Sequence, residues 1–154
     1  MSRGTRTQRE AGCTLRTVAA RLPDEVKALL DAPNFWHLAT LNPDGSPHST
    51  VMWMHRRGDL IMFNTALGRV KPRNLGNDPR VALSLADPEH PYSNVSIQGR
   101  VVETVEGDAA LRDIDSLATK YMGVETYPFL APGERRVTYL VEPSSVWYRP
   151  PAQR

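Results

Sequence analysis

The sequence predicts a mainly β fold, a small antiparallel barrel flanked by a few helices. Short apolar segments alternate with reverse-turn signals, such as residues 42–45 (NPDG) and 57–59 (RGD). Proline and glycine favour the dihedral angles of these turns, and close turns between consecutive strands make those strands antiparallel neighbours. A sheet with this many strands has to protect its edges, and closing it into a barrel removes them.

Length and composition indicate a single domain. We assign it to residues 22–150 of the 154-residue chain, after a basic N-terminal tail at residues 1–21 that we expect to be flexible. The single cysteine, Cys13, excludes an internal disulfide and a multi-cysteine zinc site. No apolar run approaches the roughly 20 residues that span a bilayer, and the N-terminus lacks the apolar segment of a signal peptide. We therefore expect a cytoplasmic protein without membrane contact. A net charge of +2 gives no reason to expect nucleic acid as a partner.

Apolar and alternating segments predict the strands of the barrel. In chain order they are residues 35–41, 47–56, 60–65, 80–86, 94–105, 136–141 and 146–148. We expect strands that follow one another along the chain to be neighbours in the sheet. Gly99, inside the fifth strand, indicates a bulge or a close backbone approach.

Two segments carry helical periodicity. A short helix opens at Pro23, with acidic residues in its first turn. A longer helix opens with Asp108 as its cap and is closed by Gly123. Asp113 and Asp115 are expected on the outer, solvated side of this second helix.

A basic segment follows the third strand. Arg69, Lys71 and Arg73 alternate there, Pro72 suits the first position of a short helical turn, and Gly76 provides a stop. The unpaired amides at a helix N-terminus attract anions, and apolar strands on both sides would fix the three cations in space. The segment therefore predicts a site for a phosphate or a polycarboxylate. The alternative is a solvated basic loop.

The usual catalytic motifs are absent from the sequence. It contains no nucleophile elbow, zinc-protease motif, phosphate-binding loop or dinucleotide fingerprint, and its histidines are spaced too irregularly to predict a metal site. An anion site without a catalytic constellation favours a bound redox cofactor of the flavin type, because such a cofactor carries the chemistry itself. The strand at 47–54 offers an apolar slot, while Asn64, Thr65, Arg69 and Lys71 offer a polar end.

Two stretches, residues 35–54 and 60–84, resemble the pyridoxamine-phosphate-oxidase-like split-barrel flavoproteins, and especially the actinobacterial branch that uses the deazaflavin coenzyme F420. The resemblance covers about residues 24–149, and its most specific parts are residues 64–75 (NTALGRVKPRNL) and 78–80 (DPR). It implies an antiparallel split β-barrel of the FMN-binding type and a homodimer with the cofactor at the subunit interface. It also implies an F420H2-dependent reductase that passes a hydride to a conjugated or heterocyclic small molecule.

The resemblance also implies the residues that bind the cofactor. Arg69 and Lys71 would contact its phosphate, with Asn64 and Thr65 beside them. Carboxylates of the F420 tail would pair with Arg73, with Arg80 or with arginines of the N-terminal tail. The other implied contacts come from the second strand, a covering loop and the C-terminal strand of a second subunit. They are Ser49, Thr50, Val51, Met52, Pro91, Tyr92, Ser93, Asn94, Trp147 and Tyr148.

Several alternatives stay open at this point. FMN would be held by the same cations, as an FMN-dependent oxidoreductase of the same fold requires, and a non-catalytic F420- or flavin-binding protein would carry the same motifs. The C-terminal signature of true pyridoxamine-phosphate oxidases is missing from residues 144–154 (SSVWYRPPAQR), so oxidation of pyridoxamine phosphate is not expected. Tyr127, His48 and solvent are the candidate proton donors.

Overall fold

The computed structural model describes residues 19–151. Its helices and strands are α1 (Asp24–Asp31), β1 (Phe35–Leu41), β2 (Pro47–Trp53), β3 (His55–Arg57), β4 (Leu60–Ala66), α2 (Val70–Asn77), β5 (Arg80–Ala86), β6 (Asn94–Glu106), α3 (Gly107–Met122) and β7 (Arg136–Arg149). The tail expected at residues 1–21 lies outside the described residues, apart from residues 19–21. Within the described range, no helix combines the length and the apolar character that crossing a bilayer requires.

The two edge strands of the sheet, β2 and β3, follow each other directly along the chain. The strand order of the sheet is β2-β1-β5-β6-β7-β4-β3, and every neighbouring pair is antiparallel. Only Met54 separates β2 from β3, yet β2 pairs with β1 at one edge and β3 pairs with β4 at the other. The single strand predicted at residues 47–56 is therefore wrong. The chain bends at Met54 and passes from one edge of the sheet to the other, which curls the sheet into a half-barrel.

Chain order and sheet order differ at one point. As expected, β1 pairs with β2, β3 with β4, β5 with β6 and β6 with β7. The expectation is wrong for β4 and β5, because β4 pairs with β7 and β5 pairs with β1. Helix α2 connects β4 to β5 and packs against β1 and β4, so it carries the chain between the two halves of the sheet.

The last strand is continuous. β7 forms one strand where the sequence predicts two, at residues 136–141 and 146–148. The register between β6 and β7 shifts at Gly99, opposite Pro143, and a Cβ at Gly99 would lie only 2.6 Å from the carbonyl oxygen of Glu142. The close backbone approach predicted at Gly99 is confirmed. The bulge accommodates Pro143, which has no amide hydrogen for the ladder.

Alternating side chains of the strands fill the inside of the half-barrel. Trp36, Phe63 and Ile97 are among the largest fully buried residues there, and α1 adds Val26 and Leu30. β4 does not alternate, because it is buried on both faces. The second face is covered by α3, which forms a smaller apolar cluster. This cluster comprises Met62, Ile114, Leu117 and Leu140.

Two side chains of α3 satisfy the backbone at the bend. The Tyr121 hydroxyl accepts a hydrogen bond from the Met54 amide at 3.0 Å and donates one to the Asn34 carbonyl at 2.6 Å. The Lys120 ammonium donates to the Met54 carbonyl at 2.7 Å and also to the Leu30 carbonyl. Met54 belongs to neither flanking strand, and a buried peptide group left unpaired costs about 1–3 kcal/mol. Helix α3 therefore stabilises the closure of the half-barrel.

Two carboxylates of α3, Asp113 and Asp115, lie where other elements cover the helix. The predicted cap Asp108 sits in the first turn, and Glu106 occupies the N-cap position without a side-chain hydrogen bond. Asp113 is buried and pairs with Arg57 of β3, while Asp115 accepts a hydrogen bond from the loop that follows the helix. The solvated outer position expected for these two aspartates is wrong, because β3 and that loop pack against them.

Candidate functional site

An open cleft of about 210 Å³ lies between the end of β2, the start of β7 and α3 with its following loop. The residues that line it are Val51, Met52, Trp53, Asn64, Arg69, Ile114, Leu117, Tyr127, Phe129 and Arg136. The fold thus brings together four of the predicted site residues: Val51, Met52, Asn64 and Arg69. The cleft combines an apolar lining with cationic groups, as a site for a planar anionic cofactor requires.

The basic segment forms the start of α2. Arg69 occupies the N-cap position, so the helix begins at Val70, earlier than predicted, and continues past the stop predicted at Gly76. Pro72 falls in the first turn, where helix amides have no intrahelical acceptor, so its missing N–H leaves no acceptor unpaired. The helix is eight residues long, and its free N-terminal amides lie next to Arg69 and Lys71.

Lys71 is a cation held partly out of water without a counter-ion. Its side chain is half-buried, and no carboxylate between residues 19 and 151 pairs with it. Burial lowers the pKa of Lys71, and the positive charge of Arg69 lowers it further. An anion bound between Lys71 and Arg69 would stabilise both charges. Arg73, one turn further along α2, is exposed.

Polar atoms without partners gather on the inner face of β2, near α2. Within the described residues, neither the Thr50 hydroxyl nor Nδ1 of His48 has a hydrogen-bond partner, although both atoms are buried. His48 lies opposite Thr40 in the sheet register, and Asn74 of α2 donates to the Thr40 hydroxyl at 3.0 Å. The side-chain oxygen of Asn74 is also buried without a partner. These atoms form surroundings that suit a polar ligand group.

The backbone of β2 is paired on one side only. Residues Pro47–Trp53 bond to β1, and no strand among the described residues pairs with their other side. In an antiparallel pair, alternate residues point their N–H and C=O groups away from the partner strand. The segment 49–52 therefore presents free backbone donors and acceptors, as the predicted contact with a flavin-type ring requires.

Asn64 and Thr65 are buried in the end of β4. Asn64, 4% exposed, donates to the Ala110 carbonyl and to the Thr138 hydroxyl, both at 2.9 Å. Its side-chain oxygen accepts a hydrogen bond from Nε of Arg136 at 2.8 Å. The amide group that the sequence assigns to the cofactor is thus fully engaged in fixing Arg136. The direct contact of Asn64 and Thr65 with a cofactor stays a prediction.

Arg136 is a site residue that sequence reasoning missed. Its side chain is only 3% exposed, donates to Oε1 of Glu134 at 2.7 Å, and lies over the ring of Tyr127 at 5.2 Å. The second oxygen of Glu134 is 3.5 Å from Nη2 of Arg69. The cleft therefore contains a fixed Arg136–Glu134–Arg69 network. The only signal for it in the sequence is a charged triplet, 134–136 (ERR), directly before an apolar strand.

An aromatic wall, also unforeseen, forms one side of the cleft. Trp53 meets Tyr127 edge to face at 6.1 Å between ring centroids, and Tyr127 meets Phe129 in the same way at 5.7 Å. Trp53 also stacks on Tyr121 of α3 at 5.1 Å. Of the two candidate proton-donor side chains, only Tyr127 lines the cleft. Such edge-to-face contacts give the wall a defined geometry.

The remaining predicted residues lie elsewhere on the subunit. Tyr92 is 82% exposed, whereas the Ser93 hydroxyl is buried and donates to the Arg149 carbonyl at 3.0 Å. Trp147 is 54% exposed and lies four strands away from Val51 across the sheet, roughly 19 Å at the usual strand spacing. One subunit does not bring the segment 91–94 or Trp147 to its own cleft. Their predicted role therefore depends on a second subunit.

No group of three or more His, Cys, Asp or Glu side chains between residues 19 and 151 is placed to hold a metal ion. The histidines on the strands lie apart in the sheet. His37 and His48 are in neighbouring strands but are not paired with each other, because His37 pairs with Val51 and His48 pairs with Thr40 in the sheet. The chemistry of the donor set in the cleft is therefore that of cations, amides and aromatic rings.

Known proteins share this sequence pattern and fold. The family model described as pyridoxamine 5′-phosphate oxidase matches residues 22–149. A solved F420 reductase is 30% identical, with a TM-score of 0.71, and the match covers 82% of this chain and 98% of that one. The conserved hypothetical protein Rv2991 from Mycobacterium tuberculosis is 26% identical, with a TM-score of 0.65 over 83% of this chain and 84% of that one.

More distant structures share the fold alone. The heme storage protein HutZ from Vibrio cholerae is 15% identical, with a TM-score of 0.59 over 84% of this chain and 95% of that one. No protein with a curated description matches the chain. The matches as a group confirm the predicted split β-barrel class.

Proposed function

Because the chain belongs to the pyridoxamine 5′-phosphate oxidase family, we propose that it binds F420 in the cleft and acts as an F420H2-dependent reductase. The reaction passes a hydride from the reduced deazaflavin to a conjugated or heterocyclic small molecule. The observation that carries the proposal is Lys71, a half-buried cation next to Arg69 that no carboxylate among residues 19–151 neutralises. The similarity to an F420 reductase at 30% identity supports F420 over FMN.

The residues of the site fit this cofactor. Arg69 and Lys71 would hold its phosphate through charge-assisted hydrogen bonds, and the free backbone of 49–52 suits the polar edge of the ring. Thr50 adds a buried hydroxyl without a partner. Bound F420H2 would supply the hydride, while the chain would bind and orient the ring.

The aromatic wall suits the acceptor. Trp53, Tyr127 and Phe129 present ring edges and faces, against which a planar conjugated molecule packs favourably. A hydride that adds to a conjugated bond leaves an electron pair on the acceptor, and a proton has to neutralise it. Tyr127 is better placed than His48 to donate that proton, because it lines the cleft.

The exposed face of the sheet supports the proposed homodimer. On β5 the exposed side chains after Arg80 are the small residues Ala82, Ser84 and Ala86, and larger apolar residues are exposed on other strands of the sheet, including Val51 at 53% and Trp147 at 54%. Exposed aromatic and aliphatic side chains around a flat patch are typical of an interface. A second subunit on this face would bring Trp147 and the loop at 91–94 near the partner's β2. Light scattering during size-exclusion chromatography measures the oligomeric state.

The experiment that tests the function is a paired titration with F420 and FMN at equal ionic strength, followed through the intrinsic fluorescence of the three tryptophans, of which Trp53 lines the cleft. We expect micromolar or tighter binding of F420 and weaker binding of FMN. The double variant Arg69→Ala, Lys71→Ala should lose roughly 3–6 kcal/mol of F420 binding free energy, because each of two hydrogen bonds to a charged group contributes about 1.5–3 kcal/mol. Arg100→Ala, which removes an exposed cation from β6, is the matched control.

Each outcome separates the candidate functions. Unchanged F420 affinity in the double variant would contradict the assignment of the phosphate site. Tight FMN binding with weak F420 binding would favour an FMN-dependent oxidoreductase of the same fold. Tight F420 binding without turnover, across a panel of quinones, enones and nitro-heterocycles, would favour a non-catalytic F420-binding protein.

A further inference from the structure

Glu134 contacts two arginines of the cleft unequally. It forms a short ion pair with Arg136, at 2.7 Å between Oε1 and Nη1, and both side chains are almost entirely buried. Its contact with Arg69 is longer, 3.5 Å between Oε2 and Nη2, and the Arg69 side chain is 56% exposed. Glu134 is therefore firmly bound to Arg136, whereas Arg69 is free to take a stronger anionic partner.

The network keeps the Glu134 charge in place when a ligand binds. Asn64 holds Nε of Arg136 at 2.8 Å, and Asn64 is itself fixed by the Ala110 carbonyl and the Thr138 hydroxyl. Because Asn64 and Glu134 both accept hydrogen bonds from Arg136, this arginine stays in place when an anion enters, and its carboxylate partner stays with it. Any anion that binds Arg69 then lies close to a fixed negative charge.

We propose that Glu134 tunes the charge selectivity of the phosphate site, because it penalises a doubly charged phosphate monoester more than a singly charged phosphodiester. The inference rests on the proposed function and extends it, because it gives a physical reason for choosing F420 over FMN. The phosphate of F420 is esterified on both sides and carries one negative charge. The phosphate of FMN is a monoester and carries about −1.5 to −2 at pH 7.

The selectivity follows from the proportionality of Coulomb energy to ligand charge. Glu134 offsets one of the three positive charges that Arg69, Lys71 and Arg136 bring to the site. At a separation of about 6 Å, even the dielectric of bulk water, which gives the smallest effect, changes affinity about threefold for one unit of ligand charge and about tenfold for two. The carboxylate therefore weakens binding of the dianion more than binding of the monoanion.

Three ligands that share the same flavin ring but differ in phosphate charge test this inference. Riboflavin carries no phosphate, riboflavin 4′,5′-cyclic phosphate carries a singly charged diester, and FMN carries the monoester. Their affinities are measured by fluorescence at low ionic strength, where screening is weakest. Glu134→Gln removes the charge but keeps an acceptor for Arg136, Glu134→Asp keeps the charge, and Glu25→Gln removes an exposed carboxylate from α1 as the control.

We expect Glu134→Gln to leave riboflavin affinity unchanged, to strengthen binding of the cyclic phosphate at least about threefold and to strengthen binding of FMN at least about tenfold. Glu134→Asp and Glu25→Gln should leave the ratio of the three affinities as in the parent protein. If all three ligands change by the same factor in Glu134→Gln, or if Glu134→Asp gives the larger effect, the residue acts only by supporting Arg136 and the inference is overturned. F420 is titrated in parallel. Its failure to bind the parent protein would reject the proposed function, whereas the flavin series would still decide the role of Glu134.

Discussion

Lys120 of α3 donates a hydrogen bond to the carbonyl of Met54 at 2.7 Å, at the one residue where a continuous chain segment changes from one edge of the sheet to the other. The neighbouring Tyr121 hydroxyl binds the amide of the same residue. Both polar groups of this peptide segment are thus satisfied by a helix that is distant in sequence. The stability of the half-barrel should therefore respond to changes in these two side chains.

Removing the Tyr121 hydroxyl should destabilise the fold. In Tyr121→Phe the ring still stacks on Trp53, but the Met54 amide and the Asn34 carbonyl lose their partner. We expect the free energy of unfolding to fall by about 1–3 kcal/mol, measured by urea denaturation. Tyr92→Phe is the control, because that side chain is 82% exposed and should change stability little. Equal midpoints for the two variants would contradict the assigned role.

Stability should increase with pH in the mildly alkaline range. Burial lowers the pKa of Lys120 to about 8, from 10.5 for a free lysine, although nearby Asp31 acts in the opposite direction. Between these values the unfolded chain binds more protons than the folded chain, so the free energy of unfolding rises with pH. The raised pKa of Tyr121 and of Tyr139 reverses the trend above about pH 10, so the rise belongs between about pH 8 and pH 9.5.

The test of this pH dependence is the urea midpoint measured across that range. Lys71 also has a lowered pKa and contributes to the rise with the same sign. Lys120→Met removes the group with the large shift and should therefore reduce the rise without abolishing it, even though the variant is less stable at every pH. A parent protein whose midpoint is constant, or falls, between about pH 8 and pH 9.5 would show that Lys120 keeps an ordinary pKa in the folded state.

Two glycines should respond to alanine in opposite directions. At Gly99 a Cβ would lie 2.6 Å from the Glu142 carbonyl oxygen and 2.8 Å from Cγ1 of Val141, so Gly99→Ala should cost about 1–3 kcal/mol of stability. At Gly76, inside α2, nothing lies within 4 Å of the added atom, so Gly76→Ala should stabilise by up to about 1 kcal/mol. Thermal unfolding of the two variants beside the parent measures both signs, and a shift in the same direction for both would refute the argument.

Asn64 should matter for stability as well as for binding. Asn64→Ala removes three buried hydrogen bonds and leaves Arg136 fixed by Glu134 alone, so we expect a loss of about 2–4 kcal/mol in urea unfolding. Asn94→Ala, which loses one exposed bond to the Tyr92 carbonyl, is the matched control. A variant as stable as this control would show that the Asn64 network does not hold the cleft.

Much of the fold could be predicted from local patterns. β1 and β5 have the predicted bounds, because each alternates cleanly between a buried and an exposed face, and the cap at Gly123 follows from its φ of 71°. The basic segment at Arg69 and Lys71 is recognisable because it interrupts two apolar strands. These features depend on residues that are close in sequence, which is why the sequence reveals them.

The parts that escaped prediction depend on distant contacts. The bend at Met54 is stabilised by Lys120 and Tyr121 of α3. The alternation of side chains along residues 47–56 continues through Met54 and therefore does not reveal the bend. In the sequence, Arg136 has the pattern of an ordinary charged residue at the start of a strand. Its burial depends on Asn64 and Glu134, which bind it in the folded chain. In each case the polar side chain is buried by an element that sequence periodicity alone does not bring near it.

The pairing of β4 with β7 has a consequence for how the chain folds during synthesis. β4 is synthesised early, but its neighbour in the sheet, β7, is synthesised last of all the strands. Ile61 of β4, for example, pairs with Val141 of β7. Until β7 has left the ribosome, the apolar strand β4 has a partner on one side only, and α3 has no completed surface on which to pack. Such long-range pairing slows folding and exposes strand edges meanwhile. Deletion of β7, whose residues 136–141 pair with β4, should therefore impair folding of the whole domain.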